Sequence, residues 1–150
     1  MSEPPWLSWA REILAIAQIG STYSKDPYDL ERYRALDEIG RRILATQAGM
    51  PMHEVVDALR HEKGYPTPKI EVRAAVFSPD GEILMVRERM DSDRWTLPGG
   101  WADVDRTPSE AIVHEVAEEA GYEIEVEKLA AVWDRRRQGY PVGLFSCYTM

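Results

Sequence analysis

The sequence predicts a mixed α and β protein (α/β in the broad sense, or α+β), in which a small helical domain precedes a domain of strands and helices. Apolar residues recur at helical spacing up to about residue 62, and from Ile70 they alternate as in a strand. A well-capped helix then lies between three strand patterns, the last of them short, and two further ones. We expect a helical domain at 1–63, a linker at 64–69 and a second domain at 70–150.

The first helix is predicted from its apolar residues, which are Trp6, Leu7, Ala10, Ile13, Leu14 and Ala17. We expect Gly20 and the polar residues 21–25 to end it. Asp26 is expected to cap a second helix, because Pro27 suits the first helical position and Asp29 lies in the first turn. The apolar stripe of that helix consists of Leu30, Tyr33, Leu36, Ile39 and Ile43.

A third, short helix is expected from Met52 to Glu62. Apolar stripes of this kind usually belong to a core. Two or three short helices bury little surface alone, however, so the stripes could also face another subunit. The two prolines in Gly64–Pro68 then make a stiff, non-helical linker.

The strand patterns are Ile70–Phe77, Glu82–Arg89, Trp95–Leu97, Ile124–Asp134 and Val142–Met150. A turn at 78–81 predicts that the first two strands form a hairpin. Residues Met90–Arg94 are expected to form a polar loop.

The most informative segment is Gly100–Tyr122, which contains a helix with signals at both ends. Thr107 can cap its start, Pro108 suits its first position, and Glu110 completes a capping box. Gly121 is expected to end the helix in a left-handed conformation. The apolar side of the helix consists of Ile112, Val113, Val116, Ala117 and Ala120.

Three carboxylates lie on one face at the end of this helix, those of Glu115, Glu118 and Glu119. Since they repel each other, a divalent cation is a natural counter-ion, and oxygen ligands suit Mg²⁺ or Mn²⁺. Glu-rich helix ends are usually only solvated, but the tight turn at Pro98–Gly100 and the capped helix strengthen the signal. A zinc protease is disfavoured, because its motif would need a second histidine four residues after His114.

This segment resembles the Nudix box, the signature of hydrolases that cleave nucleoside diphosphates linked to another group. The matching positions, with the right spacing throughout, are Gly100, Glu115, Val116, Glu118, Glu119, Gly121 and Tyr122. The resemblance implies that the three glutamates are the catalytic carboxylates and the ligands of Mg²⁺ or Mn²⁺. It also implies that the carbonyl oxygen of Gly99 is a further metal ligand.

Two positions depart from the box: Arg106 stands where it has a glutamate, and His114 where it has an arginine. In the family these two side chains support the loop–helix–loop, and an Arg–His pair cannot replace their ion pair. Arg106 could instead reach Asp103, Asp105 or a metal-site glutamate. We expect a weakened site rather than a lost one, because the three carboxylates remain.

The resemblance also implies the Nudix fold, a mixed sheet between helices. In the family that fold continues with another strand and a closing helix, whereas this chain stops at Met150, within a predicted strand. Its C-terminal part is thus short: either the chain is truncated, or the fold is closed differently, for example by the N-terminal helices.

The stretch Trp6–Gly40 resembles the N-terminal domain of a bacterial Nudix subgroup that includes CDP-choline pyrophosphatases. In that subgroup the helices contribute to dimerisation, which implies a homodimer.

Composition narrows the possible partners and location. The net charge of -8 disfavours binding to nucleic acid or anionic membranes, so no stable nucleic-acid partner is expected. No apolar run approaches the roughly 18 residues of a membrane span. The single cysteine, Cys147, excludes an intrachain disulfide, and the first residues show no secretory signal, so a cytoplasmic location is expected.

The expected reaction is attack of water on a phosphorus of a pyrophosphate bridge. The general base could be Glu118, Glu119 or a later acidic residue. Candidate phosphate ligands are Arg73, Arg87 and Arg135, and candidate base-stacking residues are Trp101, Trp133 and Tyr140, for which simple packing is an equal alternative.

The leading hypothesis is a metal-dependent pyrophosphohydrolase of a nucleoside diphosphate derivative, with CDP-choline the first substrate to test and ADP-ribose the second. A second hypothesis is a nucleotide-sensing module without turnover. A third is a truncated, inactive protein.

Overall fold

The computed structural model describes residues 3–89, 93–139 and 143–150. Its helices are α1 (Pro5–Tyr23), α2 (Pro27–Ala48), α3 (Met52–Ala58) and α4 (Pro108–Ala120). Its strands are β1 (Lys69–Glu71), β2 (Val86–Glu88), β3 (Arg94–Thr96), β4 (Trp133–Asp134) and β5 (Cys147–Thr149). The chain divides into two compact units, formed by the described residues of Met1–Pro68 with Pro141–Phe145 and of Lys69–Tyr140 with Ser146–Met150. The predicted mixture of helices and strands is confirmed.

The first unit is built from α1, α2 and α3. Its buried apolar core consists of Leu7, Ala10, Leu44 and Val55, against which Leu144 also packs. The predicted cap of α2 is confirmed: the side chain of Asp26 accepts hydrogen bonds from the backbone N–H groups of Tyr28 and Asp29. The cap sets the start of α2 because it satisfies backbone donors that the helix itself leaves unpaired.

The first helix ends at Tyr23, within the predicted segment 20–25, but Gly20 itself lies inside α1 and does not end it. Gly20 is buried, and a Cβ atom at this position would overlap the ring of Tyr33 on α2. The glycine therefore allows two helices to approach closely. The predicted third helix begins at Met52 as expected but ends at Ala58 rather than Glu62.

The second unit contains a mixed sheet with the strand order β1–β5–β4. β1 pairs with β5 in parallel, and β4 pairs with β5 in the antiparallel sense. A separate antiparallel ribbon joins β2 to β3 and places Arg87 opposite Trp95. The apolar core joins α4 to the segment that follows β1, and consists of Val72, Ala74, Ala111, Ile112 and Val116.

The predicted hairpin is confirmed only next to its turn, where Phe77 bridges Ile83 and the N–H of Leu84 donates to the carbonyl of Val76. Farther from the turn, β2 pairs with β3. The backbone after β1 bonds elsewhere, because the N–H groups of residues 72–74 donate to the carbonyl oxygens of Gly100, Met150 and Pro98. The predicted strand 70–77 is thus a strand only at its start, in β1, and its pattern did not predict the segments to which its backbone bonds.

Two other predicted strands are much shorter than expected. Only Trp133–Asp134 of the segment 124–134 is a strand, and the side chains of Val126, Leu129 and Val132 are exposed. Alternating apolar residues make a strand only where a neighbouring strand is available to pair with them. The last strand is Cys147–Thr149, within the predicted segment, whose first residue lies outside the described residues.

The predicted polar loop at 90–94 falls mostly outside the described residues, and Arg94 belongs to β3. Within the described ranges, no helix combines the length and the apolar character needed to cross a bilayer.

Candidate active site

Helix α4 begins and ends as its sequence predicts. Thr107 accepts a hydrogen bond from the N–H of Glu110, and the Glu110 side chain accepts one from the N–H of Thr107. These contacts with Thr107 lower the pKa of Glu110 from its usual value. At the other end, Gly121 has a left-handed conformation with φ 72°. Because Val116 is fully buried against the sheet, the caps and the core together fix the position of the glutamates on α4.

The loop before α4 lies against residues 72–74, which follow β1, and it requires two glycines. Gly99 has φ 143°, and a Cβ atom there would overlap the carbonyl oxygen of Val72 and lie 2.9 Å from Cα of Arg73. At Gly100, a Cβ atom would lie 2.8 Å from Oε2 of Glu115. The loop therefore runs between the sheet and a glutamate of α4, with no room for side chains at either glycine.

Two of the three glutamates, Glu115 and Glu119, contact this loop. Glu119 accepts a hydrogen bond of 2.8 Å at Oε2 from the N–H of Gly99, whereas the exposed Glu118 lies 3.4 Å from Nε2 of His114. Glu115 is half-buried. Burial, followed by the charges of Glu119, Glu118 and Asp103, raises the pKa of Glu115 above its usual 4.5. The three carboxylates thus concentrate negative charge on one side of α4.

The donor chemistry of this cluster fits a hard divalent cation, since carboxylate and carbonyl oxygens are the ligands that Mg²⁺ and Mn²⁺ prefer. Within the described ranges, however, no three His, Cys, Asp or Glu side chains already form a metal-binding group. Glu118 and Glu119 are exposed, so rotation of their side chains could bring their oxygens towards Glu115 and the Gly99 carbonyl without moving the core.

The two residues that depart from the expected box each contact an acidic neighbour. Nη1 of Arg106 lies 3.0 Å from Oδ2 of Asp103, and His114 lies beside Glu118. Both also line an open depression of about 660 Å³ beside α4. None of the three glutamates belongs to the lining of that depression. Arg106 therefore reaches one of the acids expected for it, and His114 is a partly exposed helix residue.

The predicted phosphate ligands lie in different surroundings. Arg87 is exposed on β2, and its Nε donates to the carbonyl of Asp93. Arg73 donates from Nη1 to the carbonyl of Leu97, which immediately precedes the Pro98–Gly100 turn. Arg135, in a 3-10 turn after β4, donates from Nη1 to Oε2 of Glu71 at 2.9 Å.

Two of these arginines, Arg73 and Arg135, lie beside the carboxylate of Glu71, a residue that the sequence analysis did not single out. The carboxylate of Glu71 is buried, and it accepts hydrogen bonds from Arg135 and from the hydroxyl of Thr149. Burial, followed by the charge of Glu71, raises the pKa of the neighbouring Cys147 thiol. A signal was available: Glu71 and Arg73 are charges two residues apart in an apolar strand pattern, and hence on one face of the strand.

Two of the three candidate stacking residues, Trp101 and Trp133, lie among the described residues. Trp101 is exposed, where it bridges Glu71 across the sheet, and Trp133 is half-buried in β4. Tyr140 lies outside the described residues.

Comparison with known proteins covers both units. The family model of the NUDIX domain matches residues 67–146, and the model of a UDP-X-like, N-terminal oligomerisation domain matches residues 4–59. A Bacillus subtilis (strain 168) protein named "Putative ADP-ribose pyrophosphatase YjhB" is 43% identical over 136 residues, which cover 91% of this chain and 64% of that protein. A MutT-like protein of Streptomyces ambofaciens is 35% identical over 82 residues, or 55% of this chain and 53% of that protein. This chain therefore spans less than two thirds of the length of either relative.

Among solved structures, the crystal structure of a UDP-X diphosphatase aligns with 99% of this chain and 72% of its own chain. The sequences are 32% identical and the TM-score is 0.50. The similarity thus extends over both the helical unit and the unit that carries α4.

Proposed function

Since the chain belongs to the Nudix family, we propose that it is a metal-dependent pyrophosphohydrolase acting on a nucleoside diphosphate linked to another group. The observation that carries this proposal is the geometry of the loop and α4. Three glutamates lie on one helix face, one of them accepts a hydrogen bond from the N–H of Gly99, and another lies against Gly100. Carboxylate oxygens beside a glycine-rich turn are ligands that a phosphate-bound divalent cation prefers.

In the proposed reaction, a water oxygen bonds to one phosphorus while the bond from that phosphorus to the bridging oxygen breaks. A divalent ion such as Mg²⁺ or Mn²⁺, when bound there, would supply positive charge for the phosphate oxygens and would lower the pKa of the attacking water. The residues that would hold the ion are Gly99, through its carbonyl, and Glu115, Glu118 and Glu119. Glu118 or Glu119 would also accept the proton of the water, and Arg73, Arg87 and Arg135 would bind phosphate oxygens.

The substrate panel follows from the relatives and from the helical domain. The names of the similar proteins mention ADP-ribose and UDP-X, and the resemblance of the N-terminal helices suggests CDP-choline. These compounds share a nucleoside diphosphate and differ in base and in the attached group, so one panel compares both parts of the substrate.

The test is to incubate the purified protein with ADP-ribose, CDP-choline and UDP-sugars in Mg²⁺ or Mn²⁺, and to separate the products by chromatography. Glu118→Gln is the informative variant, because Glu118 is exposed and its loss should not disturb folding. Glu127→Gln removes an equal charge from an exposed position outside the site and serves as the control. Turnover that disappears in Glu118→Gln alone supports the proposal, and a fully active Glu118→Gln contradicts it.

A second candidate is a domain that binds a nucleotide without cleaving it. It is favoured by Arg106, which pairs with Asp103 and cannot supply the missing carboxylate of the box. Saturable nucleotide binding without turnover in the same panel would support this candidate, and rapid turnover would eliminate it.

We also propose that the helical unit forms a homodimer through α1. Trp9, Ile16 and Tyr23 are spaced by seven residues, which places them near one face of the helix. Their exposed fractions are 61%, 48% and 63%, large for aromatic and aliphatic side chains that form one stripe. The match of residues 4–59 to an oligomerisation domain supports a second copy of the chain as the occupant.

Light scattering after size-exclusion chromatography tests this proposal. Ile16→Glu should shift the protein towards the monomer, whereas Gln47→Glu, which adds the same charge at an exposed position on α2, should not. A wild-type monomer at micromolar concentration, or a dimer unaffected by Ile16→Glu, would contradict it.

A further inference from the structure

The sheet of the second unit contains a buried carboxylate, that of Glu71, whose residue is only 3% exposed. Oε1 accepts a hydrogen bond from the hydroxyl of the fully buried Thr149 on β5. Oε2 accepts one from Nη1 of Arg135 at 2.9 Å and lies 3.8 Å from Nη2 of Arg73. Both oxygens therefore contact donors, and one of them lies near two guanidinium groups.

Such a cluster is not explained well by stability alone. Removing a carboxylate and a guanidinium from water is costly, and well-packed apolar side chains in their place are often neutral or stabilising. What a buried, hydrogen-bonded carboxylate does provide is a fixed position for its partners. Glu71 is held by Thr149, so that the arginines have a rigid acceptor rather than a mobile one.

The same cluster is connected to the loop before α4. Arg73 donates from Nη1 to the carbonyl of Leu97, two residues before Gly99. Glu71 itself bridges Trp101, the residue after Gly100. The position of Glu71 is thus coupled through the backbone to the loop that we place at the metal ion.

We propose that Glu71 is a positioning residue, which orients Arg73 and Arg135 for the phosphates of the substrate. This inference rests on the proposed function for the role of the two arginines. Glu71 does not touch the substrate, so its contribution is to keep the guanidinium groups in place before the substrate binds. Misplacement by about 1 Å of a group that positions the substrate can reduce activity by roughly 100-fold.

The test measures binding of ADP in Mg²⁺ by calorimetry, together with KM and kcat for the substrate of the wild-type protein. Glu71→Gln keeps the shape but removes the charge, whereas Glu71→Asp keeps the charge but shortens the side chain. A positioning role through charge predicts that Glu71→Gln weakens ADP binding by roughly 10- to 100-fold and raises KM, and that Glu71→Asp retains more affinity. Asp37→Asn, which removes the carboxylate partner of Arg41 on α2, should bind ADP as the wild type does.

The opposite order, with Gln tolerated and Asp not, would mean that Glu71 only fills space and would overturn the inference. If Glu71→Gln does not fold, as judged by circular dichroism, Thr149→Val decides: it removes one hydrogen bond to Glu71 and should weaken ADP binding several-fold, and unchanged affinity overturns the inference. A wild type that binds no ADP also overturns it. A wild type that binds ADP but cleaves no substrate refutes the proposed function alone.

Discussion

The tight approach of the loop to the sheet at Gly99 predicts that Gly99→Ala is strongly destabilising. The new Cβ atom would overlap the carbonyl oxygen of Val72 and lie 2.9 Å from Cα of Arg73. To relieve this contact the loop must move away from the strand segment. That movement strains the hydrogen bonds from Val72 to Gly100 and from Ala74 to Pro98, both 2.9 Å.

The magnitude follows from two contributions. An alanine at φ 143° costs about 1–3 kcal/mol in backbone strain. Each of the two backbone hydrogen bonds contributes about 0.5–1.5 kcal/mol when it is lost. Gly99→Ala should therefore reduce the free energy of unfolding by about 2–6 kcal/mol, and each kcal/mol lowers Tm by about 2–4 °C in a protein of this size.

Gly81→Ala is the matched control, because Gly81 also has a positive φ, 83°, but a Cβ atom there meets nothing within 4 Å. It should cost only the left-handed conformation, about 1–2 kcal/mol. Thermal unfolding followed by circular dichroism and calorimetry should show the larger shift for Gly99→Ala, about two to three times that of Gly81→Ala at the middle of the two ranges. Equal shifts for the two variants would refute the close approach that the structure shows at Gly99.

Three further predictions concern other contacts. Thr107→Ala removes the capping box with Glu110 and should cost about 1 kcal/mol in denaturant unfolding, whereas Thr67→Ala in the exposed linker should cost little. The pKa of Glu115 is raised in the folded state, so the folded chain binds this proton more tightly than the unfolded chain does. The protonated side chain therefore contributes stability below pH 4.5. That stability is lost as the pH rises from 4.5 through the folded pKa. Without divalent ions, Glu115→Gln should therefore raise Tm at pH 7 and have little effect well below pH 4.5; a lower Tm at pH 7 would contradict this. Gly20→Ala should destabilise by about 1–3 kcal/mol through overlap with the ring of Tyr33, and in a double-mutant cycle with Tyr33→Ala the two losses should be less than additive.

The helix ends could be predicted because their contacts are local. Asp26 bonds the N–H groups two and three residues later, and Thr107 exchanges bonds with Glu110, three residues away. The conformation of Gly121 likewise depends on the end of one helix. The spacing of the three glutamates on α4 follows from helix geometry alone, so the candidate metal ligands were visible in the sequence.

The strand partners could not be predicted in the same way. Alternating apolar residues indicate an extended chain but do not say which segment lies beside it. This is why the predicted hairpin is confined to its turn and β2 pairs with β3 instead. It is also why most of the segment 124–134 is not a strand despite its pattern.

The order of residues therefore specified the capped helices, the glycine-rich turn and the carboxylates that follow it, since each depends on neighbours within about one helical turn. The folded chain alone brought Glu71 to Arg135 and to Thr149, which lie 64 and 78 positions away. It also made Gly20 a contact between helices rather than a helix end. Contacts of this kind depend on how whole elements pack, and packing is decided by the shape and burial of many residues at once.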